Sequence, residues 1–309
     1  MLVSRCCRFF VFLQMLSSGA LVAEEPGVLR VDWLPGKAYV LETTTESSTQ
    51  AGGAKQEMKI TQGTELEATA AEGGGKDVRV TFSRIHGEMK GPNGEAKFDT
   101  DNPPASDPGL LETLGKSLGR AYVLKYDAKN RFVDSLDISA VDATGKPAPS
   151  LAELADKRAG ANLFRKSMEM GLPPGPVKVG DAWTADETLS FPRAGETHVK
   201  LSGRFASVEE IQGRKHAKIT FDGTLRSTDQ ARGSLPASFS ISDKSKLSGV
   251  VFFDLERRVV SMSVSTTQLH LLVEDQMVEF EQKVTTRLNA VLDIRRAIPI
   301  EDDEALNKE

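Results

Sequence analysis

Gly115-Lys116-Ser117-Leu118-Gly119 fits G-x-S-x-G, the spacing with which many hydrolases raise a nucleophilic serine on a sharp turn. That chemistry requires a strand before the serine and a helix after it. Here the residues predict the reverse order. Leu110, Leu111, Leu114 and Leu118 form a helical stripe ahead of Ser117, and Ala121-Tyr122-Val123-Leu124 reads as a strand behind it. Gly119 is then expected to end the helix, with Asp107 capping its start and Pro108 in its first turn. Gly109 to Ser117 also approaches a phosphate loop, but one residue too many separates Gly109 from Gly115 and no strand precedes it.

The four histidines, His86, His198, His216 and His270, are scattered, and none has a second ligand at helical metal spacing. The carboxylates are plentiful but unclustered. A glycosidase pair converges in space rather than in sequence, and no two residues stand out for it. Asp127 and Asp254, with Arg131 and Arg258, recur at the same spacing. They read either as a duplicated polar site or as aspartates that open four-residue turns, and turn chemistry favours the second. No catalytic set, metal or cofactor is implied, and the chain reads as non-enzymatic.

Residues 1–23 read as a signal peptide. Arg5 and Arg8 supply its positive start, Phe9 to Leu16 its apolar run, and Ser17-Ser18-Gly19-Ala20 and Ala23 its small residues. Cleavage after Ala23 is favoured over cleavage after Ala20, and the run is shorter than the roughly 20 residues of a spanning helix. Cys6 and Cys7 are the chain's two cysteines and both lie in this segment. The mature chain thus has no disulfide framework, thiolate metal site or cysteine nucleophile. Losing Arg5 and Arg8 moves the formal charge from −5 to −7. A mildly acidic chain without a basic block is not built for nucleic acid. The expected location is periplasmic or secreted, with no membrane span after cleavage.

The elements are mainly strands. Val78, Val80 and Phe82 alternate with Arg79 and Thr81, as Ala217, Ile219 and Phe221 alternate with Lys218 and Thr220. Two stretches echo one another. Gly36-Lys37-Ala38-Tyr39, the Arg79 strand and the hairpin at Asp127 recur as Gly180-Asp181-Ala182-Trp183, the Lys218 strand and the hairpin at Asp254, at offsets of 144, 139 and 127 residues. This predicts a first β-rich repeat over 24–145, a helical and Pro-rich connector over 146–178, a second repeat over 179–295 and an acidic tail over 296–309. Residues 91–107 read as a loop. A helical region is expected from Ser150 to Met170, broken at Gly160. The fold class is mainly β with minor α: a curved antiparallel sheet of two similar repeats, with one or two short helices on its concave face.

Pro176-Val177-Lys178-Val179-Gly180-Asp181-Ala182-Trp183, with Gly36 to Tyr39 and the Leu110 to Val133 stretch, resembles a family of uncharacterised bacterial secreted proteins. The resemblance transfers no catalytic residue. More loosely, the pattern is similar to bacterial lipoprotein carriers, which implies helices over an apolar cavity. Leu163, Phe164 and Met168 are the expected ligand-lining residues, for an elongated apolar or lipid-like molecule. The alternatives are an envelope structural or interaction protein without a pocket, and a hydrolase with an unrecognised site.

Overall fold

The computed structural model describes residues 27–92, 94–115, 118–119, 121–137, 157–191, 195–227, 239–273 and 276–294. The expected signal peptide, acidic tail, Ser117 and 150–156 lie outside them. The first half contains β1 (Gly27–Val28), β2 (Lys37–Ala51), β3 (Ala54–Ala70), β4 (Lys76–Gly91), β5 (Gly94–Asp99), α1 (Pro108–Gly115), β6 (Ala121–Tyr126) and β7 (Phe132–Asp137). Then come α2 (Lys157–Glu169), β8 (Pro176–Val177), β9 (Ala182–Phe191), β10 (Gly195–Ile211) and β11 (Arg214–Ser227). The described chain closes with β12 (Phe239–Ile241), β13 (Lys246–Asp254), β14 (Val259–Val273) and β15 (Gln276–Asp293).

Thirteen strands make one curved antiparallel sheet, in the order β7-β6-β4-β3-β2-β15-β14-β13-β11-β10-β9, with β5 beside β4 and β12 beside β14. Two meanders, β2-β3-β4-β6-β7 and β9-β10-β11-β13-β14, run in the same sense along it, and β15 joins them by pairing with β2 and β14. Tyr39 and Trp183 stand near the starts of the two first strands. The turns at Asp127 and Asp254 join the fourth strand to the fifth in each meander.

Strict alternation makes one face of this sheet dry. In β10, Val199, Leu201 and Phe205 are buried while Lys200, Ser202 and Arg204 between them are exposed. The convex face carries cross-strand ion pairs such as Lys59–Glu46 (3.0 Å), Arg84–Glu42 (3.0 Å) and Lys218–Glu209 (2.9 Å). A lipid-facing sheet has the opposite polarity, because a Lys or Arg at mid-bilayer costs about 2–4 kcal/mol there. The convex face is built for water. No helix among the described residues is long and apolar enough to cross a membrane.

The concave face needs a cover, and α2 supplies it. The helix packs against β7 and β6 at one edge of the sheet and against β9 at the other, so it stands in the gap between the two edges. Phe164 meets Phe82 edge to face at 6.1 Å, Arg165 lies 4.4 Å over the Phe132 ring, and Lys166 pairs with Glu187 of β9 at 2.8 Å. Buried Ala161 lets the helix approach closely.

One end of the roll is closed by residues 29–34. Leu29, Val31 and Trp33 are buried, and Trp33 meets Tyr39 edge to face at 4.9 Å. Asp32 fastens this strap: its N–H donates to the Arg258 carbonyl (2.8 Å), and its carboxylate accepts from Lys76, which also donates to Asn130 (2.7 Å). Burial alone would raise the Asp32 carboxyl, but Lys76, Asn130 and Arg258 together hold it below the ordinary range.

Several expectations need correction. Within 91–107, β5 is a strand: it pairs with β4 from Gly91 opposite Gly94 onward, with Gly94 at φ 111°, and Phe98 is buried. Helix α2 runs unbroken through Gly160, whose cost of roughly 1 kcal/mol against Ala is outweighed by the packing of its neighbours. Asp107 does cap α1, accepting from the Leu110 N–H (3.0 Å), and by Leu118 the described chain has left the helix. Gly119, at φ 69°, instead donates to the Phe82 carbonyl at the entry to β6.

The two echoed aspartates both organise turns, though differently. Asp127 accepts from the Lys129 and Arg131 N–H groups (each 2.9 Å) and from the Arg131 side chain (2.7 Å). Asp254 accepts from the Glu256 (3.0 Å) and Arg257 (2.9 Å) N–H groups, but its guanidinium partner is Arg214 (2.8 Å). Arg258 turns away towards Asp32 (3.5 Å).

Asp254 is fully buried. Burial pushes its carboxyl up, yet the Arg257 and Glu256 N–H groups, Arg214 and His216 bring it below the ordinary range. A carboxylate with a depressed native pKa adds stability above its unfolded value near 3.9 and loses it as pH falls through the native value. Urea unfolding of Asp254→Asn should therefore show a loss of about 3 kcal/mol at neutral pH and a shallower decline below about pH 4 than the native chain. Equal slopes would refute the assignment. A second expectation concerns Gly249, where an added Cβ would lie 2.5 Å from both the Phe221 ring and the Val264 carbonyl oxygen. Gly249→Ala should cost about 1–3 kcal/mol by the same assay; a neutral result would deny that contact.

Candidate functional site

Along the concave face, side chains sit in rows fixed by register, and glycines decide how far they project. Trp183 of β9 pairs with Gly203 of β10, and Phe221 of β11 with Gly249 of β13. A Cβ at Gly203 would lie 2.4 Å from the Trp183 ring. Both rings therefore lie flat across a neighbouring glycine instead of standing into the interior. Gly171, just past α2 at φ 81°, also approaches the Phe221 ring, where a Cβ would come within 2.5 Å. The end of α2 is thereby seated on that ring.

Flattened rings leave room. Between α2 and the concave sheet lies a cavity of about 510 Å³, within the range of small-molecule sites. Its two sides differ in chemistry. One is apolar, formed by Phe164, Met168 and Met170 beneath the helix and by Val199, Phe221, Leu225, Leu247 and Val251 of β10, β11 and β13. The other carries hydroxyl and amide groups, Thr43, Gln62 and Thr64 of β2 and β3 and Ser263, Ser265, Thr267, Gln282 and Thr286 of β14 and β15, with Leu269 and Val284 among them.

A bulge creates the hydroxyl side of β14. Phe253 pairs with Val260 and Phe252 with Met262, so Ser261 is the extra residue, and its hydroxyl donates to the Phe252 carbonyl (3.1 Å). One extra residue exchanges the faces of everything beyond it. Ser263, Ser265 and Thr267 consequently face the cavity, and Met262 and Val264 alternate to the other face.

Lys166 is the one charged residue among the described cavity-lining residues, and it is already paired with Glu187 (2.8 Å). A smaller space of about 70 Å³ adjoins it between α2 and the inner faces of β9 and β10. Glu169 lines that space beside Arg165, its ion-pair partner. Burial raises the Glu169 carboxyl, and Arg165 opposes the shift. No serine, cysteine or histidine is among its described lining residues.

Of the residues singled out from sequence, Phe164 and Met168 stand on the cavity wall, and the side chain of Leu163 lies outside the described residues. Sequence reasoning missed Met170 and the whole sheet contribution. The signal for the hydroxyl side was present as Ser263-x-Ser265-x-Thr267, but only the bulge tells which way it faces. The histidines stay apart. His198 pairs with Asp186 (3.1 Å) outside the cavity, and buried His216 donates from Nδ1 to the Arg214 carbonyl (2.9 Å), its Nε2 3.7 Å from Asp254. Among the described residues no three His, Cys, Asp or Glu side chains gather as metal ligands.

Comparison with known proteins finds no matching family model and no similar curated protein. Among solved structures, the chain aligns with a lipovitellin structure at 11% identity and a TM-score of 0.46, over 85% of this chain and 26% of that one. It thus spans about a quarter of that protein. It aligns with an outer membrane channel from Pseudomonas putida F1 at 9% identity and a TM-score of 0.30, over 87% of this chain and 99% of the channel. A DUF1329 family protein from Desulfovibrio piger aligns at 8% identity and a TM-score of 0.22, over 82% and 87% of the two chains. At TM-scores below 0.5 these likenesses establish neither a shared family nor a shared function.

Proposed function

We propose that this chain is an exported, non-enzymatic binding protein that holds an elongated apolar or lipid-like molecule between α2 and the concave sheet. The observation that carries the reading is the cavity of about 510 Å³ walled by Phe164, Met168, Phe221 and Leu247, inside a sheet whose convex face is charged. A chain that served only as an envelope scaffold would gain stability by filling that space, since unfilled apolar volume costs about 24 cal/mol per Å³. Support for binding over hydrolysis comes from the cavity chemistry. Its described lining holds three serines but no histidine or carboxylate to activate them. Export rests on the pattern of residues 1–23. The like order of the two meanders supports a duplicated unit as the origin of the sheet.

Native mass spectrometry of the protein purified from the organism that makes it tests the reading. A mass excess released by organic extraction is expected. Phe164→Asp, which buries a carboxylate on the apolar side, should abolish retention with the circular dichroism spectrum unchanged. Leu247→Trp, which fills the space without adding charge, should do the same. A bare polypeptide mass, with no uptake of a neutral apolar dye such as Nile red, would contradict it.

A further inference from the structure

The division of the cavity into an apolar and a hydroxyl side specifies more than apolarity. Resting on the binding role above, we propose that the ligand is an uncharged amphiphile with hydroxyl or carbonyl groups along one side of its length and apolar surface along the other. An end-polar chain such as a fatty acid fits this cavity less well.

Three observations carry the proposal. The first is the placement of the polar groups. Ser263, Ser265 and Thr267 succeed one another along β14, and on β15 Thr286 and Gln282 stand opposite the first and last of them with Val284 between, so the polar groups form a band that follows β14 along one side of the cavity. The band is repeated at roughly 7 Å intervals by the two-residue period of a strand. A single polar head would need one cluster at the mouth.

The second is partnership. Thr43 and Thr286 bond one another (3.2 Å), and Gln62 donates to Thr64 (3.4 Å). Among the described residues none makes a hydrogen bond with the side chain of Ser263, Ser265, Thr267 or Gln282. Those four therefore present donors and acceptors to whatever occupies the cavity. A purely apolar occupant would cover them unpaired, which is the expensive arrangement. The third is charge. Lys166 is neutralised by Glu187, so the described lining offers an ionised headgroup no free countercharge.

The bulge at Ser261 gives the band a structural cause. Without it, Met262, Val264, Thr266 and Gln268 would face the cavity in place of Ser263, Ser265 and Thr267.

The test uses the mature protein, Nile red as a neutral apolar probe, and two competitors of similar apolar area: an uncharged trihydroxylated steroid and a long-chain saturated alcohol. The native protein should bind the steroid about tenfold or more tightly than the alcohol, since each lost hydrogen bond to a buried group is felt. In the triple variant Ser263→Ala, Ser265→Ala, Thr267→Val, steroid affinity should fall by about tenfold, while Nile red and the alcohol bind as well or better. These side chains have no protein partner to lose, so the fold is expected to survive. If the triple variant does not fold, Thr267→Val alone should still take about threefold from the steroid only. Equal binding of steroid and alcohol by the native protein overturns the proposal, as does a steroid preference that survives the substitutions. Nile red bound without such a preference overturns this inference alone. Failure to bind Nile red at all removes the binding role, and this inference with it.

Discussion

A sheet of this width with one apolar face must close, and here closure rests on a single helix meeting both edges. Left open, the edge strands β7 and β9 would expose unpaired backbone groups, and the concave face would expose Leu, Val and Phe side chains to water. Helix α2 answers both needs. Its Arg165 and Phe164 hold the β7 side through Phe132 and Phe82, and its Lys166 holds the β9 side through Glu187. The strap at Leu29, Val31 and Trp33 then seals one end, fixed by Asp32. The deep core lies at that end, where Tyr39, Leu66, Val78, Leu124, Ile219 and Phe253 are buried.

The cavity follows from the mismatch between one helix and a thirteen-stranded roll. A helix with its side chains is about 10–12 Å across, too narrow to fill the space the sheet encloses. The glycine opposite Phe221 widens that space further by letting its ring lie down. Proteins usually fill such volume. Here the sequence does the reverse, and on β14 and β15 it spends the opposing surface on hydroxyl and amide groups. The position of Ser261 decides which residues of β14 take part, because a register shift of one residue turns Ser263, Ser265 and Thr267 inward in place of Met262, Val264 and Thr266.

Much of the architecture was legible in the residues. Period-two alternation marked β4 and β11, where one face is dry and the other wet, and Asp107-Pro108 marked the start of α1. The echo of Tyr39 in Trp183 pointed to the first strands of two like-ordered meanders. The failures share a cause: local punctuation was taken for tertiary fact. Pro92-Asn93-Gly94 announces a turn, but whether β5 follows depends on Phe98 finding a buried place beside β4. Gly160 weakens a helix in isolation, yet packing carries α2 through it. Arg131 and Arg258 share a spacing and part company because a buried Asp254 recruits Arg214 from the neighbouring strand. For the site, the helix residues Phe164 and Met168 could be found from an amphipathic stripe. The hydroxyl side could not, since a bulge sets its phase and nothing in Ser261 itself announces one.

The central claim is that the interior of the roll is a two-sided ligand site. A crystal structure of the protein purified from the organism that makes it addresses this most directly. The account predicts continuous density between α2 and β14, in contact with Phe164 and Met168 on one side and within hydrogen-bond reach of Ser263, Ser265 or Thr267 on the other. An interior closed by inward movement of α2, with the Phe221 ring turned into the space and no density beyond it, would contradict it.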